Sequence, residues 1–186
     1  MISAVDERHA RSVIDPSADA VATGHTAAGL AVRLVDYDAD RDVAAPSEYD
    51  EYPPGPRTAP PGLGRLHVEL VDAAGARGVA GTVTWHLVSY GPNAGSRAWN
   101  IGIGLAPASR GHGVGSVAQR LLAEWLLATT DIDRIEASTD VANVAEQRAL
   151  ERAGFTREGV LRSAQERLDG RHDLYSYSLL RADVAG

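Results

Sequence analysis

Residues 99–125 read WNIGIGLAPASRGHGVGSVAQRLLAEW and combine an apolar strand, a glycine-rich loop and an amphipathic helix. Residues of the strand alternate between two faces. One face carries Trp99, Ile101, Ile103 and Leu105, and the other carries Asn100, Gly102 and Gly104. One strand face is therefore apolar, and the other is nearly bare backbone. Apolar residues recur at helical spacing from Val114 to Trp125. Because a helix start presents unpaired N–H groups, we expect the loop to bind an anion such as a diphosphate.

The composition predicts a single domain with one core. The chain has 186 residues, of which 44% are hydrophobic. It contains no cysteine, which excludes disulfides, thiolate metal sites and a cysteine nucleophile. The net charge of −7 argues against nucleic acid as a partner, and no apolar run reaches the ~20 residues of a membrane span. Without a signal-peptide pattern, we expect a cytoplasmic protein.

The rest of the chain predicts a mixed sheet with two helices. We expect strands at 30–37, 66–71, 79–89, 97–105, 134–139, 155–165 and 172–180, and helices at about 114–129 and 143–153. Residues 1–28 have little periodicity and are interpreted as an N-terminal tail or extension. Residues 29–186 are the predicted single domain.

The segment 36–64 carries most of the charge and the prolines. Positions 36–52 hold seven acidic residues and one arginine, and positions 46–64 hold six prolines and three glycines. This composition excludes a long helix and favours an ordered loop or a flexible flap. Its carboxylates could attract a cationic molecule, and the alternative is a solvated acidic loop.

Three interpretations of the glycine loop can be compared. It is not a nucleotide P-loop, because no Gly-Lys-Ser/Thr follows. A dinucleotide site needs G-x-G-x-x-G, whereas the spacing here is G-x-G-x-G. A plain turn would not need three glycines and an arginine at a helix start.

Two motifs carry a resemblance to a known family. Arg110–Gly115 (RGHGVG) resembles the R/Q-x-x-G-x-G/A pyrophosphate loop of the GNAT superfamily of acyl-CoA-dependent N-acetyltransferases. Asn143–Phe155 (NVAEQRALERAGF) is similar to the N-x-x-S-x-x-x-L-x-x-x-G-F pattern of its Rim-type branch, which contains the ribosomal-protein N-terminal acetyltransferases. Residues 158–162 and 169–173 resemble the closing hairpin of that branch. The resemblance covers about residues 30–182.

The resemblance implies a GNAT-like α/β (α+β) fold with a mixed, splayed sheet flanked by helices, and acetyl-CoA or coenzyme A as the cofactor. The strands on either side of the loop would separate to admit the pantetheine arm. The implied cofactor-binding residues are Ile103, Leu105, Arg110, Gly111, His112, Gly113, Val114, Gly115, Ser116, Asn143, Arg148 and Arg152. Asn143 would also fix the geometry beside the thioester.

The family's usual proton donors are missing. Leu150 stands where many members have tyrosine, and Glu146 stands where the Rim-type branch often has serine. We expect Glu146 to be an exposed helix carboxylate, so that Glu146→Gln would be mild. The alternative is that burial raises its pKa and makes it the acid.

A general base is harder to assign. Candidates are Glu69 and His67 on one strand face, His86 on the next strand, and Asp140 after a later strand. A structural role is the alternative for each of them. An α-amino group with a pKa near 7.8 is neutral roughly 10–15% of the time at pH 7 and needs little help from a base.

The sequence therefore predicts an N-acetyltransferase that moves an acetyl group from acetyl-CoA to a primary amine by direct attack in a ternary complex. Catalytic candidates are Glu69, Glu146, Asn143 and His86, and acceptor candidates are Tyr49, Asp50, Glu51 and Tyr52. The acceptor is a small cationic amine or a protein N-terminus. The alternatives are a non-catalytic acyl-CoA-binding module and a transferase of longer acyl groups. The histidines do not have the spacing of metal ligands. The sequence is compatible with a monomer and with a homodimer.

Overall fold

The computed structural model describes residues 20–57 and 59–184, which form one eight-stranded mixed sheet with three helices. The strands are β1 (Ala22–His25), β2 (Ala31–Asp36), β3 (Gly64–Val71), β4 (Arg77–Ser89), β5 (Arg97–Leu105), β6 (Arg134–Asp140), β7 (Thr156–Arg167) and β8 (Gly170–Leu180). The helices are α1 (Val114–Thr129), α2 (Val144–Arg152) and α3 (Arg181–Val184). The strand order is β1-β2-β3-β4-β5-β6-β8-β7. Every neighbouring pair is antiparallel except β5 and β6.

The mixed sheet and the two main helices confirm the predicted fold class. The alternating patterns located β2 to β8 to within a few residues, and α1 has the predicted bounds. The strand β1 was not predicted, because Ala22–His25 has neither alternation nor a β-branched run. It lies within the predicted extension 1–28 and is held by antiparallel pairing with β2. Residues 1–19 lie outside the described residues.

The core lies between the sheet and α1. The buried side of α1 includes Val114, Ala118, Leu122 and Leu126, spaced by four residues. It packs against alternate strand residues that include Val68, Val83, Ile101 and Ile135. Fully burying one such side chain is worth about 1.5–3 kcal/mol. We call this side of the sheet the helix face, and α2 joins it through the buried Leu150.

The opposite side of the sheet, which we call the open face, carries the intervening residues of the same strands. On β5 these are Asn100, Gly102 and Gly104, as the alternation predicted. Residues 37–63 connect β2 to β3, and the described residues of this connection form two short 3₁₀ turns, at Ala39–Arg41 and Glu48–Asp50, and no long helix. The prolines of this connection explain why no longer helix forms.

Candidate active site

A wedge-shaped gap opens between β5 and β6. The two parallel strands pair only where Trp99–Ile101 meets Ile135–Ala137. Beyond that point β5 continues to Leu105 beside β4, whereas β6 continues to Asp140 beside β8. One edge of Gly102–Leu105 therefore faces the gap with backbone N–H and C=O groups, and an extended ligand can pair with it.

The wide end of the gap meets the glycine loop and the start of α1. Gly111 and Gly113 have φ of 80° and 79°, which are values that favour glycine. Gly113 is the N-cap of α1, no side-chain oxygen caps the helix, and its first turn has no acidic residue. The N–H groups of this turn are consequently directed towards an external acceptor at the positive end of the helix dipole. This geometry suits a diphosphate.

Asn143 is the N-cap of α2. Its Oδ1 accepts a hydrogen bond from the backbone N–H of Glu146 at 3.2 Å, and its own N–H donates to the carbonyl oxygen of Asp140 at 3.0 Å. These bonds fix the turn between β6 and α2. Asn143 thus has a structural role beside the gap, whatever it contacts in addition.

Glu146 is half-buried between α1 and α2, so the expectation of an exposed carboxylate is wrong. Burial raises the pKa of its carboxyl to about 7, and a hydrogen bond with the Gln119 side chain acts in the opposite direction. Gln119 is buried on α1 and donates to the carbonyl oxygen of Gly115 at 3.2 Å. The carboxyl of Glu146 is therefore close to the glycine loop and half-protonated near neutral pH.

A segment that we call the strap, residues 43–52, crosses the open face next to the gap. A Cβ built on Gly104 would lie 3.2 Å from the Cβ of Ala45, so the strap passes close to the bare face of β5. The Arg110 guanidinium donates to the carbonyl oxygens of Leu105 at 3.0 Å and Pro46 at 2.5 Å. At the other end, the N–H of Leu168 donates to the carbonyl oxygen of Glu51 at 3.0 Å. The strap is therefore tied to both sides of the gap.

The predicted acceptor residues lie on the strap. The Tyr49 hydroxyl donates to the carbonyl oxygen of Ala142, next to α2, at 3.4 Å. The Tyr52 hydroxyl donates to Asp50 at 3.1 Å and accepts from Gln165 at 2.9 Å. Asp50 and Glu51 are exposed. A cavity of about 280 Å³ is lined by Pro46, Ser47, Glu48, Tyr49, Glu51 and Arg110.

The predicted base candidates are in different settings. Glu69 is buried, and its two carboxylate oxygens pair with Arg33 at 2.6 Å and Arg41 at 2.8 Å. This ion pairing gives Glu69 a structural role, two strands away from β5. His86 lies on the open face of β4, opposite Asn100, and its burial lowers the pKa of the imidazole. A neutral imidazole can accept a proton at pH 7.

Some predicted cofactor residues have other partners. Ile103 and Leu105 pack their side chains on the helix face, so only their backbone is available to a ligand in the gap. Arg110 is occupied with the strap, as described above. Arg148 and Arg152 are exposed on α2, and His112 is exposed in the loop.

Two features of the site were missed from the sequence. One is Gln119, which lies beside Glu146 through the packing of α1 on α2. The other is a buried ion pair of Arg167 with Asp140, Nη1 to Oδ2 at 2.8 Å. No sequence motif links these two residues, because their contact depends on the pairing of β6, β8 and β7.

The described residues include neither a membrane-spanning helix nor a cluster of metal ligands. Among the helices of the described residues, none is long and apolar enough to cross a membrane. Within residues 20–57 and 59–184, no group of three His, Asp or Glu side chains is placed to hold a metal ion.

Comparisons with known proteins give a sequence relative and solved structures with the same fold. The sequence is 30% identical over 86 residues to the uncharacterized N-acetyltransferase p20 of Bacillus licheniformis, which is 46% of this chain and 48% of that protein. The chain thus matches about half the length of this relative. RimJ of Mycobacterium smegmatis, solved with CoA-disulfide, superposes with a TM-score of 0.54 at 20% identity, over 66% of this chain and 56% of RimJ.

A second solved structure is the spermidine/spermine N-acetyltransferase SpeG of Vibrio cholerae. It superposes with a TM-score of 0.52 at 18% identity, over 65% of this chain and 68% of SpeG. At these identities, both solved structures show a shared fold. The model of the acetyltransferase (GNAT) domain matches residues 39–156, which include the strap, the glycine loop and α2. Since this match covers more than half of the sequence, the chain belongs to the GNAT family of acetyltransferases.

Proposed function

We propose that this protein is an acetyl-CoA-dependent N-acetyltransferase that acts by direct attack of a primary amine on the thioester. One observation carries the proposal: the gap between β5 and β6 opens onto an uncapped helix start, with the carboxyl of Glu146 beside it. Acetyl-CoA supplies an activated acyl carbon and a thiolate leaving group. Membership of the GNAT family supports this choice of donor.

The residues present fit this donor. The N–H groups from Gly113 to Ser116 would hold the diphosphate, since neither a cap nor a carboxylate competes for them. The free edge of Gly102–Leu105 would pair with the amide groups of the pantetheine arm. The open position of Gly111, where a Cβ would have no neighbour within 4 Å, leaves room beside the phosphates.

Glu146 would supply the proton for the leaving group. As the amine nitrogen forms its bond to the acyl carbon, the carbon–sulfur bond breaks and the electron pair stays on sulfur. The protonated carboxyl of Glu146, with its pKa raised to about 7, can donate to that sulfur near neutral pH. Glu146 would thus take the place of the family's missing tyrosine or serine.

The other proton leaves the attacking nitrogen. His86 can accept it, because its lowered pKa keeps the imidazole neutral at pH 7. A lysine side chain is neutral only about 0.04% of the time at pH 7, whereas an α-amine is neutral roughly 10–15% of the time. An acceptor with a low amine pKa would therefore react without a strong base, and positioning would supply most of the rate.

The acceptor would be a small cationic amine or a protein N-terminus. Exposed carboxylates of the strap, including Glu48, Asp50 and Glu51, favour a cation. The SpeG neighbour is a spermidine/spermine N-acetyltransferase, which is consistent with a cationic acceptor. We favour the small molecule, because the acidic residues lie on the strap beside the gap.

The test is CoA release from acetyl-CoA, followed with a thiol reagent against a panel of amines. The panel contains polyamines, amino sugars, neutral primary amines and peptides with free N-termini. We expect amine-dependent release with a preference for cationic amines. Saturable acetyl-CoA binding without amine-dependent release would instead indicate an acyl-CoA-binding module. A preference for propionyl-CoA or a longer acyl-CoA would indicate a transferase of longer acyl groups.

A further inference from the structure

A buried arginine stands out in the β7–β8 hairpin. Most of β7 is exposed, yet Arg167 at its end is only 5% exposed and its partner Asp140 only 4%. Removing two charges from water is costly, and an apolar pair of similar volume is often as stable or more stable. Stability alone therefore does not account for this ion pair.

Asp140 holds the turn that leads into α2. Its Oδ1 accepts from the N–H of Ala142 at 2.6 Å, and its carbonyl oxygen accepts from the N–H of Asn143 at 3.0 Å. Its Oδ2 forms the ion pair with Nη1 of Arg167 and also lies 3.1 Å from Nδ1 of His172. The position of Asp140 thus sets the start of the helix that carries Glu146.

Arg167 also reaches the strap. Its guanidinium carbon lies 5.6 Å from the centroid of the Tyr49 ring. Its Nε and Nη2 donate to Oε1 of Gln165 at 2.8 and 2.6 Å, and the amide nitrogen of Gln165 donates to the Tyr52 hydroxyl. Tyr49 in turn donates to Ala142, in the turn that Asp140 holds. One guanidinium therefore connects the strap to the turn before α2.

We propose that Arg167 is a positioning residue that holds the strap in register with the start of α2, and so places the amine relative to Glu146. This inference rests on the proposed function for its kinetic consequence. Arg167 does not itself touch the reacting atoms. It acts through Tyr49 and Asp140.

The kinetic test compares Arg167→Met and Arg167→Lys with Arg171→Met. Arg171 is a matched control, because it lies on the same hairpin and is exposed. Its Nη2 is 4.0 Å from Oε2 of the exposed Glu166, which is a long distance for an ion pair. We expect Arg167→Met to raise the KM for the amine at least tenfold and to leave the Kd for CoA within twofold. Arg167→Lys should recover part of the loss, and Arg171→Met should match the wild type. An unchanged amine KM in folded Arg167 variants would overturn the proposal.

A second measurement does not depend on activity. Amide hydrogen exchange, followed by mass spectrometry, should speed up in Arg167→Lys at residues 43–52 and 141–147, and remain unchanged across α1. Exchange that rises evenly through the protein, or not at all, would overturn the positioning role. If the wild type releases no CoA with any amine, the proposed function fails, and the exchange pattern still decides the role of Arg167.

A variant pair tests the route through Tyr49. We expect Tyr49→Leu alone to raise the amine KM, and Arg167→Lys to add little in the Tyr49→Leu background, because both changes break the same link. Fully additive effects would show that Arg167 acts without Tyr49 and would contradict the proposed route.

Discussion

The carboxyl of Glu146 has the setting of a proton donor. It occupies the third position of α2, where a side chain would ordinarily meet water, but the packing of α1 places Gln119 against it. Burial disfavours the charged form, which raises the pKa to about 7. The expectation that Glu146→Gln is mild followed from assumed exposure, and this burial revises it.

We expect Glu146→Gln to lower kcat by roughly 100-fold at pH 6, which is the lower end of the usual contribution of general acid catalysis, about 10²- to 10⁴-fold. The advantage of the wild type should shrink as pH rises above about 7, since Glu146 then loses its proton. The measurement is the ratio of the two kcat values from pH 5.5 to 8.5, in which titration of the amine cancels. A ratio that does not change with pH would argue that Glu146 is not the acid.

At the scale of the elements, the start of α1 is predicted to bind the diphosphate of CoA. Gly113→Val is expected to weaken CoA binding at least tenfold, because a side chain at the N-cap would block the phosphates and strain a φ of 79°. Gly75→Val is the matched control, with a φ of 83° and no neighbour within 4 Å of an added Cβ. Each variant should lose about 1–2 kcal/mol in the free energy of unfolding. Only Gly113→Val should change the Kd for CoA, measured by calorimetry. Equal CoA affinity in a folded Gly113→Val protein would disprove the loop assignment.

The pairing of β4 with β5 makes a prediction about stability. A Cβ at Gly81 would lie 2.0 Å from the carbonyl oxygen of Gly104, so Gly81→Ala must push the two strands apart. We expect a loss of about 1–3 kcal/mol or more in the free energy of unfolding, measured with a denaturant. Gly78→Ala, on the same strand with open space around it, should be neutral or slightly stabilising. Similar stability of the two variants would contradict the strand register.

The elements were predictable where a local pattern specified them. Alternation located β5, and helical spacing located α1. The anion site at the glycines before α1 stays a prediction. The path of the strap was not predictable, because it depends on contacts such as that of Tyr49 with Ala142, 93 residues apart in sequence. The ion pair of Arg167 with Asp140 was missed for the same reason, since no local pattern marks a buried arginine in an exposed strand.

At the scale of the whole molecule, negative charge is concentrated in the segment that contains the strap. Segment 36–52 carries nearly all of the net charge of −7, and its strap part lies beside the gap. The KM of a cationic amine should therefore rise several-fold between 20 and 300 mM salt, because exposed charges are screened. The KM of a neutral primary amine of similar size should change little. Equal salt dependence for both amines would argue that the strap does not attract the acceptor.

The measurement that tests the central claim most directly is mass spectrometry of a complete reaction with acetyl-CoA and the best amine of the panel. Direct transfer predicts one acetylated amine for each CoA released, with the mass of the protein unchanged throughout. The rate of product formation should fall in Gly113→Val at limiting acetyl-CoA. Acetyl-CoA that binds but yields no acetylated amine, or an acetyl group that remains on the protein, would contradict the account.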